Sequence, residues 1–292
     1  MLFRSEQTPG ERARVAVQLV PGDGEGAVGS VVHEVLTLST IHSAKGLEWR
    51  AVFVIGLVDD VVSLRPTTKL VFEIAVASFL AFFNYRLGWV QSLTLDTLLT
   101  VFWIVGLTNA FNLLDNMDGL CAGLAVVAGA GVLLAFTLHG ITGPQVTHLA
   151  LIIGAAGGFL VYNFNPASIF MGDSGSLFIG LNLAVLTLSS PRSSHGTSNM
   201  LSIIIGPVLV MLVPILDTTL VTVMRLLSGR SAAQGGRDHS SHRLVAIGLS
   251  EPRAVAVLWG LAALGDLLAL SLRHVRSDWT GLITAAFVLA MV

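Results

Sequence analysis

The chain has 292 residues, 53% of them hydrophobic and 12% charged, with a formal net charge of -2 at pH 7. Soluble domains carry about 25% charged residues, so this balance excludes an ordinary soluble globule, while the small net charge argues neither for nor against an anionic partner. The one cysteine, Cys121, excludes an intramolecular disulfide and a cysteine-cluster metal site.

In chain order, residues 1–50 differ from the rest. They are charged and glycine-rich, and residues 1–30 lack the apolar core of a signal peptide. Two β-prone runs follow, Val35–Thr40 and Ala51–Ile55. Between them lies Ile41-His42-Ser43-Ala44-Lys45-Gly46-Leu47-Glu48-Trp49. From Leu36 to Leu57 the chain resembles a strand–loop–helix–strand motif of superfamily 1 DNA helicases. No G-x-x-x-x-G-K-[ST] phosphate loop occurs anywhere in the chain, so no nucleic-acid motor and no nucleic-acid partner are expected. The expected division is a short, non-membrane α/β-like fragment of foreign origin over residues 1–55, without function of its own, and a membrane domain over 56–292.

From residue 56 onward, apolar runs of near-spanning length occupy 70–87, 97–113, 119–138, 148–163, 174–190, 200–220 and 254–272. A last run, 279–292, is still apolar at Val292, as expected of a chain that stops short. The expected fold is an all-α polytopic membrane protein of about eight transmembrane helices. Glu73, near one end of the first run, is expected at the membrane interface.

Counting alternate crossings brings four polar clusters to one face: Asp59–Lys69, Asn112–Asp118, Asn163–Asp173 and Arg225–Arg253. The last carries Arg225, Arg230, Arg237, Arg243 and Arg253, whereas the opposite loops near 88–96, 139–147 and 191–199 hold only Arg192 as a cation. The positive-inside rule makes the clustered face cytoplasmic. Acids and amides inside helices also suit a transporter, but a transporter spreads them along a pathway rather than gathering them on one face.

Each cluster has its own chemistry. Asp59 and Asp60 are adjacent carboxylates among apolar residues, which want a cation, and Mg2+ with phosphate oxygens suits them. Lys69 can meet a phosphate as a point charge. Read alone, the stretch also fits a solvated turn beside Pro66. Asn109, Asn112, Asp115 and Asp118 recur every three residues. On an unbroken helix, at about 100° per residue, that stripe drifts about 60° per step. Asn109 and Asp118 reach one site only if the helix ends near Asp115–Asn116, and Gly119 is the expected break. Asp173, followed by Ser174-Gly175-Ser176, opens an apolar run, where a helix N-terminus favours anions. A capping aspartate would leave the same local pattern. His239 and His242 lack a third partner for zinc, and with Arg243 they suit a diphosphate instead. Asp217, inside an apolar run, is a further functional or structural candidate.

Together, Gly56–Lys69, Asn109–Gly119, Pro166–Ser176 and Arg237–Arg243 resemble the ordered motifs of the polyprenyl-phosphate N-acetylhexosamine-1-phosphate transferases. That resemblance implies that a lipid phosphate attacks the β-phosphate of a UDP-sugar, releasing UMP and leaving a sugar diphospholipid for cell-wall or surface-polysaccharide synthesis. It implies Mg2+, with Mn2+ as an alternative, held by Asp173, Asp59 and Asp60. Asp59, Asp60, Lys69 and Asp118 become catalytic candidates, and Asn109, Asn112, Asp115, Asn165, His239, His242 and Arg243 substrate-binding ones. The implied setting is the inner (plasma) membrane, with polyprenyl phosphate and UDP-sugar as partners and a homodimer among the expected assemblies. The family's first two helices are replaced here by the helicase-like segment, so an inactive fragment is a second expectation.

Overall fold

The structure is a computed structural model and describes residues 47–188, 200–231 and 236–271. The helicase-like stretch before Leu47, the loop 191–199 with Arg192, Gly235 and the final run 279–292 lie outside the described residues. Every regular element among the described residues is a helix. In chain order these are α1 (Leu47–Val62), α2 (Pro66–Phe82), α3 (Leu93–Leu114), α4 (Leu120–Leu138), α5 (Pro144–Asn163), α6 (Gly172–Leu188), α7 (Met200–Val210), α8 (Leu212–Leu227), α9 (Ser240–Ala246) and α10 (Glu251–Ser271).

The β-prone run Ala51–Ile55 is helical and lies within α1. Valine and isoleucine lose only tenths of a kcal/mol per residue in a helix. That loss is outweighed when Val52 packs with Val76 and Ala77 of α2. In apolar surroundings a helix also satisfies its own backbone hydrogen bonds. Pro66 and Pro144 stand at the first turns of α2 and α5, where a missing N–H leaves no bond unmade.

Among the described residues, four helices are long and apolar enough to cross a membrane: α3 with 22 residues, α4 with 19, α5 with 20 and α10 with 21. Helices α7 and α8 meet at a 79° bend and make a fifth if read as one span. Pro214 explains the bend. It has no N–H for the carbonyl of Val210, and its ring collides with that carbonyl.

Helix α3 packs on α2, α6 and α8, α1 packs on α6, and α4 packs on α5 and α10. Phe111, Leu114, Leu120 and Leu124 are fully buried in the larger core. Trp103 Nε1 of α3 donates to Thr187 Oγ1 of α6 at 3.0 Å, fixing their relative height. The end of α3 falls where the polar stripe requires it: Leu114 is its last residue, Asp115 caps it, and Gly119 (φ 77°) precedes α4.

Candidate active site

The end of α1, the starts of α2 and α6, and the last turn of α3 meet at one end of the bundle. Lys69 Nζ donates to Asp59 Oδ2 and to Asp173 Oδ2, each at 2.8 Å. Leu64 N donates to the other oxygen of Asp59. Asn112 Nδ2 donates to Asp173 Oδ1 and to Ser176 Oγ, both at 2.9 Å. Carboxylates from two helices therefore converge on one cation, and an amide from a third fixes the second of them.

Asp60 faces a different partner. Its Oδ1 accepts from Asp173 N at 2.8 Å and its Oδ2 from Ser174 N at 3.0 Å. It caps the N-terminus of α6, where unpaired N–H groups and the helix dipole both favour a negative charge. Gly172, at φ 68°, makes the turn into α6, and a Cβ there would stand 3.0 Å from the Asp60 oxygens. Asp60→Ala is therefore expected to lower stability by about 1 kcal/mol. A melting midpoint in detergent unchanged from the parent would contradict the capping role.

The remaining polar residues of the α3 stripe spread outward from this centre. Asn109 donates through Nδ2 to Glu73 Oε2 and to Val105 O. Glu73 is buried within the bundle, 3% exposed. It lies one turn after Lys69 on the same face of α2, and that i, i+4 spacing is the signal that could have found it. Asp115 is half-buried at the end of α3. Asn116 accepts from Ser241 Oγ at 2.8 Å. Asp118 Oδ2 accepts from Ala167 N at 2.9 Å and from Asn165 Nδ2 at 3.3 Å, and Asn165 also donates to Glu251 Oε2 at 2.9 Å. Asn163 accepts from Gly119 N at 3.0 Å. Hydrogen bonds thus link all four sequence clusters at one end of the molecule.

The basic loop has its own internal order. Arg225 Nε and Arg230 Nη1 approach Asp238 Oδ2 at 3.1 and 3.3 Å, and Arg243 Nε donates to Asp238 O at 3.0 Å. The hydrogen bond from Arg225, with the nearby charge of Arg230, holds the Asp238 carboxyl below its ordinary range. His242 is half-buried, and burial with His239 and Arg237 close by pushes its imidazole below the ordinary value. His239 is buried, 3% exposed, its Nδ1 2.7 Å from Asp217 Oδ2.

Could this centre hold a metal? Among the described residues, no three acidic, histidine or cysteine side chains gather into a complete cage. Two carboxylates against one lysine nevertheless leave a net negative charge where Asp59 and Asp173 converge. Mg2+ is usually held by one or two carboxylates plus substrate phosphates. The oxygen-only donor set and the residual charge fit that pattern.

A search against family profiles matches glycosyl transferase family 4 over residues 47–190. The match takes in α1 through α6, and with them Asp59, Lys69, Asn112 and Asp173. A probable undecaprenyl-phosphate N-acetylglucosaminyl 1-phosphate transferase of Bacillus subtilis is 35% identical over 239 residues, covering 76% of this chain and 63% of the relative. A decaprenyl-phosphate N-acetylglucosaminephosphotransferase of Mycolicibacterium smegmatis is 37% identical over 243 residues, covering 73% of this chain and 60% of the relative. A shorter stretch of 113 residues is 41% identical to a phospho-N-acetylmuramoyl-pentapeptide-transferase of Limosilactobacillus reuteri, 37% of this chain and 33% of the relative. The chain thus spans less than two thirds of the length of these relatives. With several helices able to cross a membrane, it is a multi-pass membrane protein.

Proposed function

We propose that this chain transfers an N-acetylhexosamine 1-phosphate from a UDP-sugar to a polyprenyl phosphate, releasing UMP. The observation that carries the reading is the convergence of Asp59 and Asp173 on Lys69, beside Asn112, at the end of an apolar bundle. The relatives' names supply the substrate class. A membrane-embedded site is needed because one substrate is a lipid and the other a nucleotide.

In the reaction, an oxygen of the lipid phosphate bonds to the β-phosphorus of the UDP-sugar. The bond from that phosphorus to the oxygen bridging the α-phosphate breaks, and UMP leaves with the electron pair. Lys69 holds a phosphate oxygen as a point charge. Asp59, with one oxygen on Leu64 N and the other toward Lys69, accepts the proton of a protonated lipid phosphate and keeps the nucleophile anionic. Asp173, held by Asn112, faces the diphosphate across the same point. Asn109, Asn112, Asp115 and Asn165 line the nucleotide side, and Asp118 holds the 165–167 segment against it.

The proposed metal ligands are Asp173 and Asp59, with Asp60 beside them. A carboxylate has about four lone-pair sites, so the two backbone hydrogen bonds of Asp60 leave room for ligation. When bound, Mg2+ or Mn2+ neutralises the charge that builds on the diphosphate. His239, His242 and Arg243 belong to the nucleotide or phosphate side. The wider reading places about eight spans in the inner membrane, the acidic end in the cytoplasm, and two copies in a dimer.

The test is UMP release from UDP-N-acetylglucosamine by the chain in membranes. A longer version carrying the two N-terminal helices that the family resemblance implies is run alongside. Release should require both undecaprenyl phosphate and Mg2+, and should stop on chelation. Absence of a lipid product from either version, across several UDP-sugars, contradicts the reading.

A further inference from the structure

Asp217 has no part in the reaction above, yet the loop that carries the basic residues is seated on it. It lies in α8, past the bend at Met211, and is 1% exposed. Both its oxygens turn to that loop: Oδ2 accepts from His239 Nδ1 at 2.7 Å, and Oδ1 from Ser240 N at 2.6 Å. Because a carboxylate only accepts, the His239 proton on this side belongs to Nδ1. Ser241 Oγ then donates to Asn116 Oδ1 at 2.8 Å, in the turn that ends α3. Four residues before that turn, Asn112 holds Asp173. The short helix α9 therefore rests on two supports, a membrane helix at His239–Ser240 and the acidic end at Ser241. His242 and Arg243 follow in the same helical turn.

Such a carboxylate is expensive to bury unless its lone pairs are met. Here the partners that meet them come from the loop, so the loop cannot lift away without leaving a charge stranded in an apolar helix. That coupling works in both directions and makes the seat selective for one loop position.

We propose that Asp217 is a positioning residue: through His239 and Ser240 it seats α9 so that His242 and Arg243 meet the diphosphate of a nucleotide at the acidic end. The ligand half rests on the function proposed above, whereas the seating half does not. Asp217 acts on the nucleotide side alone, so the binding of polyprenyl phosphate is left to other residues.

The experiment uses the full chain in nanodiscs, with amide hydrogen exchange and UDP binding measured on the same samples. Asp217→Leu should speed exchange at residues 239–246 at least tenfold and weaken UDP binding at least tenfold. Exchange in α3 and α6 should stay at the parent rate. Adding His239→Leu to Asp217→Leu should change exchange at residues 239–246 by no more than twofold, since the two residues act as one unit in the seating. Where the protein is active, KM for the UDP-sugar should rise and KM for polyprenyl phosphate should not. If Asp217→Leu also loosens α3 and α6, the isosteric Asp217→Asn decides. It should speed exchange about threefold at 239–246 only, because an amide cannot accept from both partners as a carboxylate does. Parent-like exchange at 239–246 in both variants overturns the seating. Loosened exchange with parent-like UDP affinity overturns the link to the nucleotide. Failure of the parent to bind UDP overturns the proposed function, and the exchange arm then decides the seating on its own.

Discussion

Asp173→Asn is expected to lower kcat for lipid-product formation by about 10²–10³, the range seen when one preorganised polar contact to developing charge is lost. The reason lies in what surrounds the side chain. Its two oxygens accept from Lys69 Nζ at 2.8 Å and from Asn112 Nδ2 at 2.9 Å. Both neighbours are donors. Whichever way an asparagine amide turns, its NH2 group faces one of them, and the centre loses the negative charge that remains once Asp59 has balanced Lys69. The side chain is about one-third exposed and its backbone N–H remains capped by Asp60, so the fold should persist. Turnover is read beside the melting midpoint. Activity above about a tenth of the parent's, in a protein that melts normally, contradicts the assignment.

Gly56→Val is expected to be nearly as damaging without removing any reacting group. A Cβ at residue 56 would lie 2.5 Å from Ser174 Cα, 2.7 Å from Ser174 N and 2.8 Å from Asp173 O. These are backbone atoms and cannot rotate out of the way. Helix α1 would have to move off α6 by about 1 Å, and a misplacement of that size costs about a hundredfold in rate. The movement separates Asp59 on α1 from Asp173 on α6 and pulls Asp60 from the amides it caps. Overpacking of this kind also costs about 1–3 kcal/mol in stability. Gly106 is the control: a Cβ there meets nothing within 4 Å. Gly106→Ala should keep the parent activity. Equal activity of the two variants would mean that the α1–α6 contact does not set the site.

Much of this site is legible in the sequence because a membrane restricts the options. Once apolar runs are treated as crossings, parity alone sends Asp59, Asn112, Asp173 and the basic loop to one end. The structure joins them there through Lys69, Asn112 and the Ser241–Asn116 hydrogen bond. The helix end at Leu114 is legible for a similar reason, since a three-residue polar spacing cannot stay on one face of a continuous helix. The role of Asp60 is not legible. Its partners are backbone N–H groups of residues 113 and 114 positions away, and nothing in a local pattern distinguishes an acid bound for a helix terminus from one bound for a metal. The partner of Glu73 is not legible either. The acid's position near a run's end suggests an interface, and α2 turns that face inward, onto Asn109. The β-branched run at 51–55 misleads because propensity is a weak preference beside burial of Val52 between helices.

The most direct measurement of the central reading is the fate of two labels in one donor. UDP-N-acetylglucosamine carrying 32P in the β-phosphate and 14C in the sugar would be incubated with undecaprenyl phosphate, Mg2+ and membranes holding the chain. Attack on the β-phosphorus carries both labels into the lipid in equal amounts, and Asp173→Asn slows both by the same factor of about 10²–10³. Sugar label in the lipid without phosphorus label, or equal transfer by the Asp173→Asn variant, would contradict sugar-phosphate transfer at the Asp59–Lys69–Asp173 centre.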